Sequence, residues 1–152
     1  MAAWAAGGAA SYGAAANPSA NRAHYTPFWF PAASTIRDIR VGFTTAAGNY
    51  DLGLYDSDYN LIEARGSTAV SATAHIFTLT KPQRIRGGDV YYVGLVMSSI
   101  SDSTFRAAPA GLAGVSTGCT IEALGSTALP ATATPAAPAE PVYMPLFLLG
   151  LL

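Results

Sequence analysis

The sequence predicts an all-β fold, an antiparallel β-sandwich of jelly-roll-like type with an extended arm at each end. Three observations lead there. From Ile36 to Met97 apolar and polar residues alternate, and turn residues recur about every eight to twelve positions, the rhythm of a sandwich or barrel. Helical periodicity is poor throughout. Only the Ala-rich N-terminus has helix propensity, and Gly7, Gly8 and Gly13 weaken it. Beyond Ala128, Pro130, Pro135, Pro138, Pro141 and Pro145 impose an extended, polyproline-like path.

The elements follow in order. Residues 1–22 form an Ala/Gly-rich segment whose aromatic residues are Trp4 and Tyr12, and it has little reason to fold alone. The body spans 23–127. In AHYTPFWFPA, Pro27 and Pro31 flank Phe28, Trp29 and Phe30, which limits the strand to an edge or a short span. In the next strand Ile39, Val41 and Phe43 share one face, and Asp38, Arg40 and Gly42 the other. Tyr50, Leu52 and Leu54 then alternate inward, and DSDYN closes a hairpin into LIEAR. His75, Phe77 and Leu79 alternate with Ile76 and Thr78. Gly87–Gly88 end that strand, and DVYYVGLVM follows, apolar on both faces as a central strand must be. Short strands at Ser103–Arg106 and Thr117–Leu124 complete the body. The predicted core is Ile39, Val41, Phe43, Leu52, Leu54, Phe77, Val93, Leu95 and Ile121. Residues 128–152 are the Pro-rich arm and a last apolar strand, which either returns to an edge of the sandwich or reaches across to a neighbour.

Composition narrows the function. At 152 residues the chain is one domain with tails. Charged residues make up 11 % of it, less than half the usual ~25 %. So few charges leave a monomer's surface poorly wetted, which favours a protein covered by other subunits. The net charge of −1 provides no field for nucleic acid or anionic lipid. Lys81, Arg84 and Arg86 read as a solvated turn. Cys119 is the single cysteine, so no internal disulfide forms, and it reads as a small buried hydrophobe. The first 21 residues carry no Lys or Arg, so no signal peptide is expected. VYMPLFLLGLL has eleven residues, against about twenty for a spanning helix, so no membrane insertion is expected.

Motifs for chemistry are weak. Asp56–Asn60 starts like a calcium loop, but Leu61 stands at the glycine position and Ser67 at the closing glutamate position, so a polar turn explains it. His24 and His75 are far apart and have no spaced ligand partners. The expectation is therefore no catalytic residues, no metal, no cofactor and no enzymatic activity. Exposed aromatic rings bind sugars, and Tyr55 and Tyr59 are the candidate glycan contacts, with Tyr91 and Trp29 also eligible if they face out. Most such rings are buried in cores or subunit contacts.

The stretch from Tyr25 to Ala107 resembles a β-sandwich domain recurrent in virion proteins of tailed bacteriophages. The resemblance is carried by the aromatic strand PFWFP, then TIRDIRVGFTTAAG, LGLYDSDYNLI, FTLTKPQRI, GGDVYYVGLVMSS and STFRA. The proline-rich return to an apolar last strand is similar too. The resemblance implies a virion location, partners among capsid or tail proteins, and a homo-oligomer with three-fold or higher self-association. The chain lacks a long repetitive shaft before the domain, so a capsid decoration or head fibre is as consistent as a tail fibre or adaptor. On this reading the uncharged termini are the attachment arms, and the assembly contacts are Trp4, Tyr12, Phe147, Leu148, Leu149, Leu151 and Leu152. The alternative reading is a carbohydrate-binding module for host surface glycans.

Overall fold

A computed structural model describes residues 13–16, 20–43, 47–71, 74–98, 104–108, 120–136, 144–145 and 147–152. The side chains of residues 13–16, 104–108, 121 and 144–145 are outside that description. Trp4, Tyr12 and Cys119 lie outside the described residues, as does the side chain of Ile121.

The strands are β1 (Gly13–Ala16), β2 (Arg22–Trp29), β3 (Ser34–Gly42), β4 (Asn49–Tyr55), β5 (Leu61–Ala64) and β6 (Thr68–Ala69). They continue as β7 (Ala74–Ile85), β8 (Val90–Met97), β9 (Thr104–Ala108), β10 (Thr120–Ala123), β11 (Met144–Pro145) and β12 (Phe147–Leu151). A large sheet has the order β10-β2-β8-β4-β5, with β6 also on β4. A small sheet has the order β12-β3-β7. The large and small sheets pack face to face as an antiparallel sandwich. A third sheet, β1-β9-β11, pairs part of the Ala/Gly-rich segment with the chain's own β9.

The inner faces follow the period-2 rule. Tyr50, Leu52 and Leu54 of β4 and Val93, Leu95 and Met97 of β8 meet Ile36, Ile39 and Val41 of β3, Phe77 and Leu79 of β7, and Phe147 and Leu149 of β12. All eight predicted core residues with described side chains are buried. β8 is central, with β2 and β4 on either side, as its two apolar faces require. Pro27 lies where β2 has run past the end of β10, so its missing N–H breaks no ladder there.

β7 carries the main irregularity. Its residues 79–82 stand against Arg37 alone, a disruption that accommodates Pro82 inside the strand. Lys81 and Arg84 therefore sit in a strand rather than in a loop, although both are exposed. Glu63 closes this side of the sandwich. Its Oε1 accepts from the Thr80 N–H at 2.8 Å and from the Thr80 hydroxyl at 2.7 Å.

The Pro-rich segment departs from the attachment-arm expectation at its beginning. Residues 128–134 lie across the outer face of the chain's own large sheet. Asp51 Oδ2 accepts from the Leu129 N–H at 2.9 Å, and Asp51 Oδ1 accepts from the Gly66 N–H at 2.8 Å. The Leu61 N–H donates to the Ala131 carbonyl, and the Ala133 N–H donates to the Tyr59 carbonyl. Asp51 faces away from the inner core, as alternation requires, yet this clasp buries it.

His24 is buried in β2. Burial, helped by the neighbouring Arg22 charge, lowers its pKa to about 4. In the unfolded chain it protonates near 6.5. Above that pH the imidazole is neutral in both states and costs nothing. As pH falls from 6.5 toward 4 the unfolded state takes up the proton first, and stability drops by up to about 3 kcal/mol. Urea midpoints measured at about pH 7 and about pH 4.5 are expected to show this drop, and His24→Gln is expected to lose most of it.

Candidate interaction surfaces

Two outer faces carry the features that bear on function. The first belongs to the small sheet. Cross-strand register aligns Leu148 of β12, Arg40 of β3 and Ile76 of β7 in one row. The next row aligns Gly150, Asp38 and Thr78. Alternation turns Leu148 outward while Phe147 and Leu149 enter the core, and Leu152 follows the end of β12. Four large apolar side chains are strongly exposed among the described residues: Ile76 (51 %), Leu148 (38 %), Leu152 (69 %) and Trp29 (63 %). Two of them, Ile76 and Leu148, sit on this sheet.

Asp38 shares the face but is buried in it, gripped by Arg37 at 3.0 Å and Arg40 at 3.2 Å. A Cβ at Gly150 would fall 2.5 Å from both Asp38 carboxylate oxygens, so a side chain there would have to displace this ion cluster. The two arginines are half-exposed, so the pairs add little net stability. Their effect is to neutralise a carboxylate that the sheet buries.

These placements correct part of the expected contact set. Phe147 and Leu149 are buried against Ile39, Val41 and Phe77 of their own chain, so they are core residues and not assembly contacts. Leu151 is half-buried against the same core. Leu148 and Leu152 remain available, and Trp4 and Tyr12 lie outside the described residues. Ile76 joins them although it was not singled out. Its alternation with His75 and Phe77 already marked it as outward.

The second face is the outer side of the large sheet. Half of it is covered by the clasp. Gly53 and Gly94 are cross-strand partners, and together they leave a hollow that Leu129 fills. A Cβ at Gly53 would meet Leu129 Cδ1 at 2.9 Å, and one at Gly94 would meet Tyr55 Cε2 at 2.9 Å. Tyr55 packs edge-on against Tyr25, with ring centroids 5.2 Å apart, and its hydroxyl donates to the Pro130 carbonyl at 2.8 Å. The Tyr25 hydroxyl donates to Glu122 Oε2 at 2.9 Å, and Glu122 also accepts from Thr134. Burial pushes the Tyr25 and Tyr55 phenols well above the usual tyrosine range, so both stay protonated.

Tyr55 is therefore fully buried under its own chain. It is a structural ring and cannot meet a glycan, which corrects that expectation. Tyr91 faces the inner core. Tyr59 is half-buried at the boundary of the clasp. Its backbone sits at φ +61°, a conformation that costs a non-glycine residue about 1 kcal/mol or more. The Asp56–Asn60 turn holds it there, with Asp56 Oδ1 accepting from the N–H groups of Asp58 and Asn60. The result is a stack of Tyr59 on Tyr92, with centroids 4.1 Å apart and planes 23° apart. Burial, with Tyr59 as hydrogen-bond partner, pushes the Tyr92 phenol up to about 12.

Among the described residues no group of three or more His, Cys, Asp or Glu side chains converges as a metal site would require. Comparison with known protein families and with curated proteins found no match for this chain.

Proposed function

We propose that this chain is a structural protein of a tailed-phage virion, non-enzymatic, a surface-mounted β-sandwich subunit that self-assembles through the outer face of its small sheet. The observation that carries the reading is the exposure of Ile76 and Leu148, on either side of Arg40 in one cross-strand row, on a sheet whose edge strand, β12, has no charged residue. Edge strands that stay unpaired in solution are usually guarded by lysine, proline or an inward charge. β12 has none within Phe147–Leu151. The low charge content of the whole chain points the same way. The phage setting rests on the sequence resemblance alone.

Light-scattering mass measurement tests the assembly. The wild-type chain is expected to run as a closed homo-oligomer. The double variant Leu148→Asp/Ile76→Asp is expected to associate at least about 100-fold more weakly, since two apolar side chains contribute roughly 1.5–3 kcal/mol each when covered. Both positions are exposed, so the melting temperature should move little. A wild-type monomer, or a double variant of unchanged mass, would overturn this interface.

A further inference from the structure

We infer that β12 pairs antiparallel with β12 of a second copy, across a two-fold axis at Leu149, so that the small sheets of the two copies run on as one. This inference rests on the assembly reading and names its contact. Backbone edge meets backbone edge, with the row of Leu148, Arg40 and Ile76 beside the joint.

Among the described residues, the edges of the two sandwich sheets are treated unequally. β7 carries exposed Lys81, Pro82 and Arg84, and its ladder is broken over residues 79–82. Lysine, proline and a bulge are the devices that keep an edge from pairing. β5 is capped by the clasp, whose Ala131 carbonyl takes the Leu61 N–H and whose Thr132 bridges Asn60. β6 has two residues, and β10 has four and carries Glu122. β12 has no such guard, since Phe147–Leu151 reads FLLGL and among the described residues it pairs with β3 alone. β9 pairs with β11 just before β12 and comes within 8 Å of β3 between Cα atoms. A strand on the far side of β12 would stand about 9.6 Å from β3, so the third sheet continues on the β3 side.

This single bare edge decides the symmetry. A head-to-tail contact needs a second, different acceptor edge, and the other sandwich edges are guarded. An edge that meets its own copy makes an isologous pair, which closes.

The backbone decides the register. The Leu152 N–H donates to the Thr35 carbonyl at 3.0 Å. The extra residue at the irregularity, Arg37, lies on β3, so β12 itself alternates without a break. Alternation then turns the N–H and C=O groups of Leu148 and Gly150 toward β3, and those of Phe147, Leu149 and Leu151 away from it. Only the outward set can exchange hydrogen bonds with a second β12. Setting Leu149 opposite itself and Phe147 opposite Leu151 uses the whole set, and a slip of two residues either way leaves part of it unpaired. In that register Leu148 lies opposite Gly150 of the second copy, so no β12 side chain opposes it on the outer face. Phe147 and Leu149 keep their side chains in their own core, and half-buried Leu151 gains Phe147 of the second copy as a cross-strand neighbour.

Amide hydrogen exchange followed by NMR on the full chain tests the inference, with light-scattering mass on the same samples. In the assembled wild type the Phe147, Leu149 and Leu151 amides are expected to be as protected as those of Leu148 and Gly150. Leu151→Pro removes an outward N–H and none that β3 uses. It is expected to weaken association at least about tenfold. It should also speed exchange at Phe147 and Leu149 at least about tenfold while Leu148 and Gly150 stay protected. The wild-type pattern decides even if Leu151→Pro folds poorly. An assembled wild type whose Phe147 and Leu149 amides exchange freely, or a folded Leu151→Pro chain of unchanged mass, would overturn the edge pairing and leave the assembly reading standing. A monomeric wild type would overturn both.

Discussion

Truncation before Phe147 is expected to unfold the chain and not merely to block its assembly. Phe147 and Leu149 fill the inner face of β12 and pack on Ile39, Val41 and Phe77. The Phe147 ring also meets Phe28 across the sandwich, at 6.5 Å between centroids. Burial of two such side chains contributes about 3–6 kcal/mol. Removing β12 also uncovers the ladder edge of β3, whose backbone groups then pair with water alone. Domains of this kind have about 5–15 kcal/mol of total stability, so the truncated chain has little or none left. Circular dichroism with a urea titration checks this. The expected result is loss of the cooperative transition. A truncated chain that unfolds cooperatively within about 1 kcal/mol of the wild type would show that β12 is an external arm after all.

Gly94→Val is the point substitution expected to cost most. A Cβ there would stand 2.9 Å from Tyr55 Cε2, 3.2 Å from Tyr25 Cε1 and 3.3 Å from Leu129 Cδ2. None of the three can yield easily. Tyr55 and Tyr25 are fully buried and tied by their hydroxyls to Pro130 and Glu122, and Leu129 is tied through its N–H to Asp51. Overpacking alone costs about 1–3 kcal/mol. Two displaced phenol hydrogen bonds add about 0.5–1.5 kcal/mol each. The expected total is about 2–6 kcal/mol. Gly125→Ala is the control. Gly125 has open space around it, and alanine there should stay within about 0.5 kcal/mol of the wild type. Urea midpoints for the pair decide it. A Gly94→Val chain within about 1 kcal/mol of the wild type would mean that the clasp does not seat as described.

Strand positions and the inner core were legible because strand periodicity is local. Ile39, Val41, Phe43, Leu52, Leu54 and Phe77 each follow from a neighbour two positions away. The centrality of β8 and the Asp56–Asn60 turn were legible for the same reason. The clasp was not. Its seat is the Gly53–Gly94 pair, two glycines 41 positions apart that meet only through the β4–β8 register, and its tie is a carboxylate that alternation marks simply as outward-facing. Without the clasp, Tyr55 reads as an outward ring.

The surfaces were half legible. VYMPLFLLGLL stands out for its apolar content, and its period-2 split sets Phe147 and Leu149 against Leu148. Treating the segment as one block hid the difference between core and contact. Trp29 was eligible but undecided, because alternation gives two faces and does not say which is inner. Only the pairing of β2 with β8 settles that.

Gold labelling of phage particles purified from a culture that produces this chain, with an antibody raised against it, tests the proposed virion role most directly. The account predicts label at a regular position on every intact particle, on the capsid for a decoration or head-fibre subunit and on the tail for a fibre or adaptor. Particles that carry no label, while the chain is detected free in the lysate, would contradict it and favour the alternative reading of a free carbohydrate-binding module.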